Sequence, residues 1–522
     1  MGFGFHIENF GCRAARADGE AIGSRLLSSG HCVRQASEAD VVVVNSCTVT
    51  AEADRQARAF IRRAHRLNPA ARIVVTGCYA QRAPTELASF DGVTAVVGNS
   101  HKALLPEVVS NLICASELPT APTVLYQGTT SVVPTESPLS GRALAPGGFP
   151  SPGNISAAQA DSAAQSLVTI GASPAKPASI FADDNFAHSF IEEAQLVPGA
   201  QTRPNLKIQE GCGNRCTFCV IPFTRGPSKS LPRAAVLRQV EGFVAADGNE
   251  LVLSGINLGR WGRELAEKDS LPALVRHILT RTALPRLRLS SIEPMDWTGE
   301  LIGLMAEFAG PHALEPRLAR HAHLPLQSGS DAVLRRMHRR YRPWHYADKV
   351  AALILAVGPE LTLGADVMVG FPGETDAEFE ETVAFIRALP FGYLHLFPFS
   401  PRPGTPGWAL HLADAVASEA VLDRMSTLRS LAREKSIAHR RQMIGRKLPG
   451  ITLHTPAAMA ARGGTEALTD NFLPVELDGS YPANQLLRIA VTGLTPEGAL
   501  TARPAGIVEA TSNLSEACLQ NF

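Results

Sequence analysis

The chain has 522 residues, too many for one ordinary domain, so about two to four domains are expected. Hydrophobic residues make up 45% and charged residues 19%, which indicates a globular protein, and 49 basic residues balance 49 acidic ones, so net charge favours no class of partner. The longest apolar run, Val41–Val44, cannot span a membrane, and the N-terminus lacks a secretory signal. We therefore expect a cytoplasmic protein with no membrane segment. Nine cysteines in such a chain favour metal binding over a disulfide scaffold.

Residues 1–113 alternate between short apolar runs and helical patterns. The segments FGFHIENFGC, ADVVVVNSC and ARIVVTGC are typical of buried parallel strands. Between the last two, Phe60, Ala64 and Leu67 fall on one face of a predicted helix that ends near Pro69. This pattern predicts an N-terminal α/β domain with an open parallel sheet.

Residues 127–190 differ in composition. They are rich in Ser, Ala, Pro and Gly, and few charged residues interrupt them, most clearly across 127–182. Such a segment cannot bury enough apolar surface to offset the entropy of ordering it, so we predict a disordered insertion.

Residues 200–440 repeat a strand, a loop and a helix six times. The predicted strands are NLKIQEG, ELVLSGIN, RLRLSSIEP, HAHLPLQSG, TLGADVMVGFPG and GYLHLFPFS. Six βα units in series predict a partial (β/α)6 barrel, left open because a closed barrel of this type has eight. A predicted helix at 416–443 leads to short strands in 444–505, which indicate a small C-terminal β-barrel, and the tail through Cys518 is predicted to be unstructured.

Three cysteines, Cys212, Cys216 and Cys219, follow the first predicted barrel strand. Barrel enzymes place their chemistry at this end of the strands. A [4Fe–4S] cluster is normally closed by four thiolates, so three would leave one iron open to a small molecule. The alternative is a zinc or redox-inert site with a remote fourth ligand. With Phe218 before the last cysteine, the spacing resembles the radical S-adenosylmethionine (SAM) superfamily, which implies that SAM binds the open iron and is cleaved to a deoxyadenosyl radical.

Polar or small residues also stand at or near the ends of the later barrel strands. Each alone could be a loop-former or a helix cap, but together they predict a ligand site, for SAM, above the barrel. These residues are Ser254, Gly255, Glu293, Gln327 and Asp366.

A second trio, Cys12, Cys47 and Cys78, is widely spaced, yet each cysteine follows a predicted strand of the N-terminal sheet. Loops at the carboxyl edge of a parallel sheet converge, so the three thiols are predicted to meet and to hold a second three-thiolate cluster. The alternative is three unrelated core cysteines. Cys32 and Cys114 lack this position and are predicted to be incidental thiols.

The arrangement resembles the methylthiotransferase family over nearly the whole chain outside the insertion. NSCTVTAEADRQAR, VTGCYAQ and LHLFPFSPRPGT are most similar to the branch that acts on N6-threonylcarbamoyladenosine in tRNA. The resemblance implies an auxiliary [4Fe–4S] cluster on the N-terminal trio, a SAM cluster on the barrel trio and a C-terminal RNA-binding domain of the TRAM type. The implied reaction adds a methylthio group to C2 of the adenine at position 37, beside the anticodon. Ala15 departs from the family, where asparagine is common at this position.

The RNA contact is predicted from LRRMHRRYRPWH, where arginines alternate with aromatic residues. The predicted contact residues are Arg335, Arg336, Arg339 and Arg340. A solvated helix face is the alternative. The family resemblance also implies an electron donor of the flavodoxin or ferredoxin type, whereas the sequence identifies no sulfur source. Three alternatives for function stay open: a methylthiotransferase for isopentenyladenosine in tRNA, one for an aspartate of ribosomal protein S12, and a non-catalytic Fe–S protein that binds RNA.

Overall fold

The computed structural model describes residues 2–114, 178–186, 189–191, 193, 196, 202–313 and 316–507. Most of the predicted insertion at 127–190 and the tail through Cys518 lie outside the described residues, as does the side chain of Cys114.

The N-terminal domain is built on a parallel six-stranded sheet in the order β2-β1-β3-β4-β5-β6. The strands are β1 Gly4–Asn9, β2 Cys32–Val33, β3 Val41–Ser46, β4 Arg72–Gly77, β5 Val93–Gly98 and β6 Ser179–Phe181. The helices are α1 Arg13–Ser28, α2 Ala51–Leu67, α3 Cys78–Arg82, α4 Pro84–Ala88 and α5 Leu105–Cys114. The three predicted strands correspond to β1, β3 and β4. Every residue of β3 is buried, which explains its unbroken run of valines.

Helix α2 begins where its sequence indicates. The Thr50 side chain accepts a hydrogen bond from the Ala53 N–H, and two acidic residues lie in the first turn, at the positive end of the helix dipole. Phe60 and Ala64 are buried as predicted, but Leu67 is 59% exposed because the helix ends there, beyond the sheet's cover. Leu67 therefore lies on the same helix face as Phe60 and Ala64 but does not share their burial.

One boundary of the predicted disordered insertion is also wrong. Residues 179–181 form β6, which pairs in parallel with β5 from Ala95↔Ser179 to Val97↔Phe181. Ile180 packs against the core of the domain. Backbone pairing and this apolar contact order a segment that composition alone had assigned to the insertion.

All six predicted barrel strands form. They are β7 Asn205–Glu210, β9 Glu250–Gly255, β10 Arg286–Leu289, β11 His321–His323, β12 Thr362–Val369 and β13 Phe391–Pro398, with an additional short β8 Lys229–Ser230 antiparallel to β7. The sheets β10-β9-β7-β8 and β11-β12-β13 are joined through a parallel bridge between Leu287 and Leu318, so the strands form an open half-barrel. Its helices are α6 Ile221–Arg225, α7 Arg233–Ala245, α8 Leu271–Arg281, α9 Gly299–Ala309, α10 Asp331–Arg336, α11 Pro343–Val357, α12 Asp376–Ala388 and α13 Pro406–Ala413.

The open side of the half-barrel is covered by the N-terminal domain. Leu206 and Ile208 of β7 pack in the main core, whereas Lys207 between them pairs with Asp18 of α1. Because side chains alternate along a strand, Lys207 projects into the lumen, the space enclosed by the strands. Helix α1 therefore lies across the lumen, between the two domains.

Helix α14 Ser418–Arg441 leads to a closed barrel in the order β14-β15-β16-β18-β17. Its elements are β14 Lys447–Thr452, α15 Ala457–Ala460, β15 Gly464–Thr469, β16 Pro474–Asp478, β17 Leu486–Leu494 and β18 Leu500–Ile507. Asp470 accepts hydrogen bonds from Arg320, just before β11, so this barrel docks at the amino ends of the half-barrel strands. Within the described part of the chain, no helix combines the length and apolar character needed to cross a membrane.

Candidate active site

The barrel trio lies on the loop between β7 and α6. Gly211 opens this loop with a φ of +69°, and a Cβ there would collide with the Pro227 carbonyl, so the turn requires glycine. Sγ of Cys212 accepts from the Asn214 N–H at 3.4 Å and from Nδ2 of Asn257 at 3.5 Å. Burial raises the pKa of Cys219 to about 12. This thiol would not ionise unless a bound cation compensated for burial.

A buried arginine contacts the same trio. Nη1 of Arg339 lies 3.2 Å from Sγ of Cys216, its Nη2 pairs with Glu293, and its Nε donates to the Tyr341 hydroxyl at 3.3 Å. Only 7% of Arg339 is exposed. The predicted RNA contact by Arg339 is therefore wrong, because its charge is used inside the protein.

The other three arginines predicted to contact RNA differ from one another. Arg336 is half-buried and forms a bidentate pair with Glu378. Arg335 and Arg340 are exposed, although Arg335 also pairs with Asp331 on its own helix. Of the four arginines predicted to contact RNA, Arg335 and Arg340 therefore have a guanidinium that is accessible to a partner.

Two of the predicted SAM contacts meet Cys219 in one cavity. It has a volume of about 210 Å³, and its lining includes Cys219, Gln327, Asp366, Thr50, Phe218, Phe397 and Phe399. Gln327 has a φ of +63°, which is strained for a residue with a side chain, and its buried Oε1 has no hydrogen-bond partner among the described residues. Asp366 Oδ1 lies 3.2 Å from both His323 Nε2 and His395 Nδ1.

The remaining predicted SAM contacts lie outside this cavity's lining. Ser254 is buried, and within the described part of the chain its hydroxyl has no partner. A Cβ on Gly255 would lie 2.8 Å from the Cβ of Gln209, whose Oε1 accepts from the Asn257 N–H at 2.6 Å. Glu293 is joined to the trio through Arg339. Orphaned acceptors and a close backbone approach at these strand ends fit a polar ligand.

The N-terminal trio is assembled as predicted at the carboxyl edge of its sheet. Cys12 precedes α1, Cys47 follows β3 and Cys78 opens α3. The neighbouring Cys47 thiol lowers the pKa of Cys12 to about 5. The pKa of Cys47 is raised by Cys12, by burial and by the charge of Cys78. Gly11 has a φ of +110°, and a Cβ there would collide with Cys47. Cys32 lies on the edge strand β2, away from these loops.

Two donors that sequence reasoning missed point at Cys78. Nε of Arg225 lies 3.2 Å from its Sγ and Nδ2 of Asn99 lies 3.4 Å from it. Arg225 also pairs with Glu210 and, at 3.1 Å, with Asp18, and all of these side chains are buried. Burial by itself would raise the pKa of Asp18, but Lys102, Lys207 and Arg225 hold that pKa well below its usual range. Arg225 and its partners therefore connect the two trios, because Arg225 contacts Cys78 and pairs with Glu210, which stands two residues before Cys212.

The donor sets fit four-iron clusters better than single zinc ions. Among the described residues, only His323, Asp366 and His395 bring three potential metal-ligand atoms within 4.8 Å of one another. Neither cysteine trio therefore has all three of its sulfur atoms within that distance of one another. Three thiolates on one zinc at about 2.3 Å would be about 3.8 Å apart. A cluster that binds each thiolate on a separate iron needs the wider spacing.

Comparison with known proteins gives the following matches. The family described as Uncharacterized protein family UPF0004 matches residues 4–98, and the Radical SAM superfamily matches residues 206–386. Threonylcarbamoyladenosine tRNA methylthiotransferase MtaB of Bacillus subtilis is 32% identical, over 91% of this chain and 90% of that protein. MtaB of Treponema pallidum is 30% identical, over 91% and 94%. A tRNA-2-methylthio-N(6)-dimethylallyladenosine synthase of Parafrankia is 29% identical, over 97% and 87%.

Proposed function

The chain belongs to the radical SAM tRNA methylthiotransferase family, and from this we propose that it adds a methylthio group to C2 of N6-threonylcarbamoyladenosine at position 37 of tRNA. It is an enzyme that uses SAM and [4Fe–4S] clusters, as the family does. We assign the auxiliary cluster to Cys12, Cys47 and Cys78, and the SAM cluster to the barrel trio, Cys212, Cys216 and Cys219.

One observation carries this proposal: the cavity beside Cys219 is walled by both domains. Val49 and Thr50, two and three residues after Cys47, line it together with Cys219 and Gln327 of the half-barrel. A base held in this space would contact Cys219 and would lie beside the loop that carries Cys47. The bound clusters and SAM supply radical chemistry, which an aromatic C–H needs because it has no leaving group and no acidity that a side chain could use.

The chain's own residues position the base and exclude water. The rings of Phe218, Phe397 and Phe399 offer surfaces on which a flat base stacks. The unpartnered Oε1 of Gln327 can accept a hydrogen bond from the ligand. Asp366, fixed between two histidines, presents a carboxylate to the same space. Ser254, Gly255, Glu293, Gln327 and Asp366 stay proposed as the residues nearest SAM.

The domain assignments follow from the same family membership. We assign residues 1–113 to the methylthiotransferase domain, 200–440 to the radical SAM barrel and 444–505 to a TRAM-like RNA-binding domain. Arg335 and Arg340 are the arginines that remain available for RNA. We propose an electron donor of the flavodoxin or ferredoxin type as the reductant, and we assign no sulfur source. We also propose that the reaction takes place in the cytoplasm, where the tRNA substrate is found.

The test is the modified-nucleoside profile of tRNA from a strain that lacks the protein. We expect mass spectrometry to show loss of methylthio-threonylcarbamoyladenosine, accumulation of its precursor, and recovery on complementation. Loss of methylthio-dimethylallyladenosine instead would support the alternative substrate. Unchanged tRNA would leave ribosomal protein S12 or a non-catalytic role, and release of deoxyadenosine from SAM by the reduced protein separates those two.

A further inference from the structure

Arg13 is a cation that has no directly paired carboxylate among the described residues. It is the first residue of α1, its side chain is accessible to solvent, and it makes no hydrogen bond or ion pair with any residue that the structure describes. It contacts an aromatic ring instead, since Cζ lies 5.5 Å from the centre of Phe472. The side chain thus lies between the N-terminal domain and the C-terminal barrel with its guanidinium N–H groups free.

Helix stability does not account for this arginine. The first turn of α1 contains no acidic residue, and Arg13 and Arg16 stand there instead. Cations at the N-terminus of a helix oppose its dipole. An anion brought to this turn would relieve that cost.

The floor of the lumen beneath Arg13 also has excess positive charge. Arg288 lies 5.3 Å from the same Phe472 ring, is fully buried, and has an Nη1 without a partner among the described residues. Arg288, Arg286 and Arg203 all pair with a single carboxylate, Glu250, at 2.7, 3.2 and 3.5 Å. Buried charges are ordinarily compensated, so this floor favours an anionic ligand.

A continuous wall of side chains leads from the cavity to Arg13. Asp366 lines the cavity together with Cys219 and lies 3.2 Å from His395. The ring centres of His395 and Tyr393 are 5.1 Å apart, and those of Tyr393 and Phe472 are 5.6 Å apart. The one carboxylate in this wall, Asp366, lies 3.2 Å from nitrogens of two histidines and forms no ion pair with Arg13.

We propose that Arg13, with Arg288 behind it, binds the carboxylate of the N6 substituent of the target nucleoside and so selects the substrate. This rests on the function proposed above. The threonylcarbamoyl group carries a carboxylate, whereas a dimethylallyl group is apolar and offers nothing to an unpaired guanidinium. A carboxylate and a guanidinium form strong paired hydrogen bonds. SAM also carries a carboxylate, and tRNA carries phosphates, so the test separates these sources.

The experiment measures binding of two anticodon stem-loops by the reconstituted full chain. The RNAs differ only in having threonylcarbamoyladenosine or unmodified adenosine at position 37. We expect the wild type to prefer the modified RNA by about tenfold or more, the gain of one charged hydrogen-bonded pair. Arg13→Gln should abolish the preference and leave binding of unmodified RNA unchanged, and Arg13→Lys should retain part of it. Arg429→Gln, an exposed arginine on α14, is the matched control.

A third RNA keeps the test valid if Arg13→Gln fails to assemble its clusters. It carries the threonylcarbamoyl group with its carboxylate converted to an uncharged amide, and the wild type should bind it no better than unmodified RNA. Three results overturn the inference. The wild type could bind the amide RNA as tightly as the threonylcarbamoyl RNA, or a folded Arg13→Gln protein could keep the wild-type preference. Arg13→Gln could also weaken the binding of modified and unmodified RNA equally, which would indicate a phosphate contact. A loss of SAM binding with an unchanged RNA preference also overturns it.

Failure of the proposed function looks different. A wild type that methylthiolates dimethylallyladenosine and ignores threonylcarbamoyladenosine refutes both the function and the inference. A wild type that methylthiolates threonylcarbamoyladenosine, paired with an Arg13→Gln variant of unchanged preference, refutes the inference alone.

Discussion

Nε of Arg225, in the half-barrel, lies 3.2 Å from Sγ of Cys78, in the N-terminal domain. The contact crosses the domain boundary and brings a fully buried positive charge to the proposed auxiliary cluster. The other two nitrogens of Arg225 pair with Glu210 and Asp18. One side chain therefore holds the domains together and places an N–H donor on a cluster ligand.

Arg225→Gln is expected to destabilise the protein and to shift the auxiliary cluster's potential. The free energy of unfolding should fall by about 1–3 kcal/mol, because two buried carboxylates lose one of the two cations that they share, while Lys207 still pairs with both. The reduction potential should become more negative, since hydrogen bonds to cluster sulfurs raise it. Denaturant unfolding and an EPR redox titration measure the two effects. Arg238→Gln, at an exposed pair with Glu193, is the control. An unchanged potential would mean that Arg225 has a purely structural role.

Cys47→Ala should remove one cluster and spare the other. The iron content after anaerobic reconstitution should fall from about eight to about four per chain, because each trio is proposed to hold four irons. Deoxyadenosine release from SAM should continue in part, since the barrel trio is intact. Cys32→Ala, which removes a thiol outside both trios, should retain the full iron content. Complete loss of SAM cleavage in Cys47→Ala would contradict separate cluster roles.

Arg339→Gln should impair the barrel cluster rather than RNA binding. The guanidinium contacts Cys216 and pairs with Glu293, so its loss leaves a half-buried carboxylate without its cation beside the cluster. We expect reduced deoxyadenosine release and an altered EPR signal of the reduced SAM cluster. Arg342→Gln, three residues on at a half-buried pair with Asp331, serves as the control. Normal SAM cleavage with weakened tRNA binding would restore the RNA-contact interpretation.

His439 should make stability depend on pH. Burial, assisted by the charge of Arg440, lowers the pKa of His439 to about 4, and its Nε2 lies 2.8 Å from the Thr362 hydroxyl. Below about pH 6.5 the unfolded chain takes up a proton that the folded chain excludes, so the free energy of unfolding falls as pH drops from about 6.5 to about 4. Between about pH 7.5 and pH 5 the contribution of this group is about 2 kcal/mol.

The His439→Gln variant isolates that contribution. It should lose less stability on acidification than the wild type, because glutamine does not titrate while the other groups, His321 included, titrate in both proteins. Urea unfolding of the reconstituted proteins at both pH values gives the difference. An equal loss of unfolding free energy in the two proteins would show that His439 does not cause the loss of stability at low pH.

Substitution of Arg335 and Arg340 tests whether the segment LRRMHRRYRPWH contacts RNA. If both contact phosphates, Arg335→Gln with Arg340→Gln should weaken tRNA binding and lower the slope of log affinity against log salt concentration by about 1 to 2. Modified and unmodified RNA should be affected equally, because phosphates are common to both. An unchanged salt slope would assign these arginines to a solvated helix face.

The positions of nine of the parallel strands and the membership of the two thiol trios could be predicted from the sequence. Apolar runs and turn residues locate parallel strands, and parallel strands bring the loops at their carboxyl ends to one edge. Cys12, Cys47 and Cys78 are grouped by this rule alone, although dozens of residues separate them. The barrel trio needed only its spacing and its place after β7. Such information is local, so it can be read along the chain.

The roles of the arginines could be assigned only from the folded structure. Arg339 stands among exposed arginines in sequence yet is buried against Cys216, and Arg225 meets a cysteine 147 residues away. Whether an arginine faces RNA, a cluster ligand or the lumen depends on which distant thiol or carboxylate the fold brings within hydrogen-bond distance. Residue spacing does not encode those distances, because they arise only when the helices and loops of the half-barrel pack against one another and against the N-terminal domain.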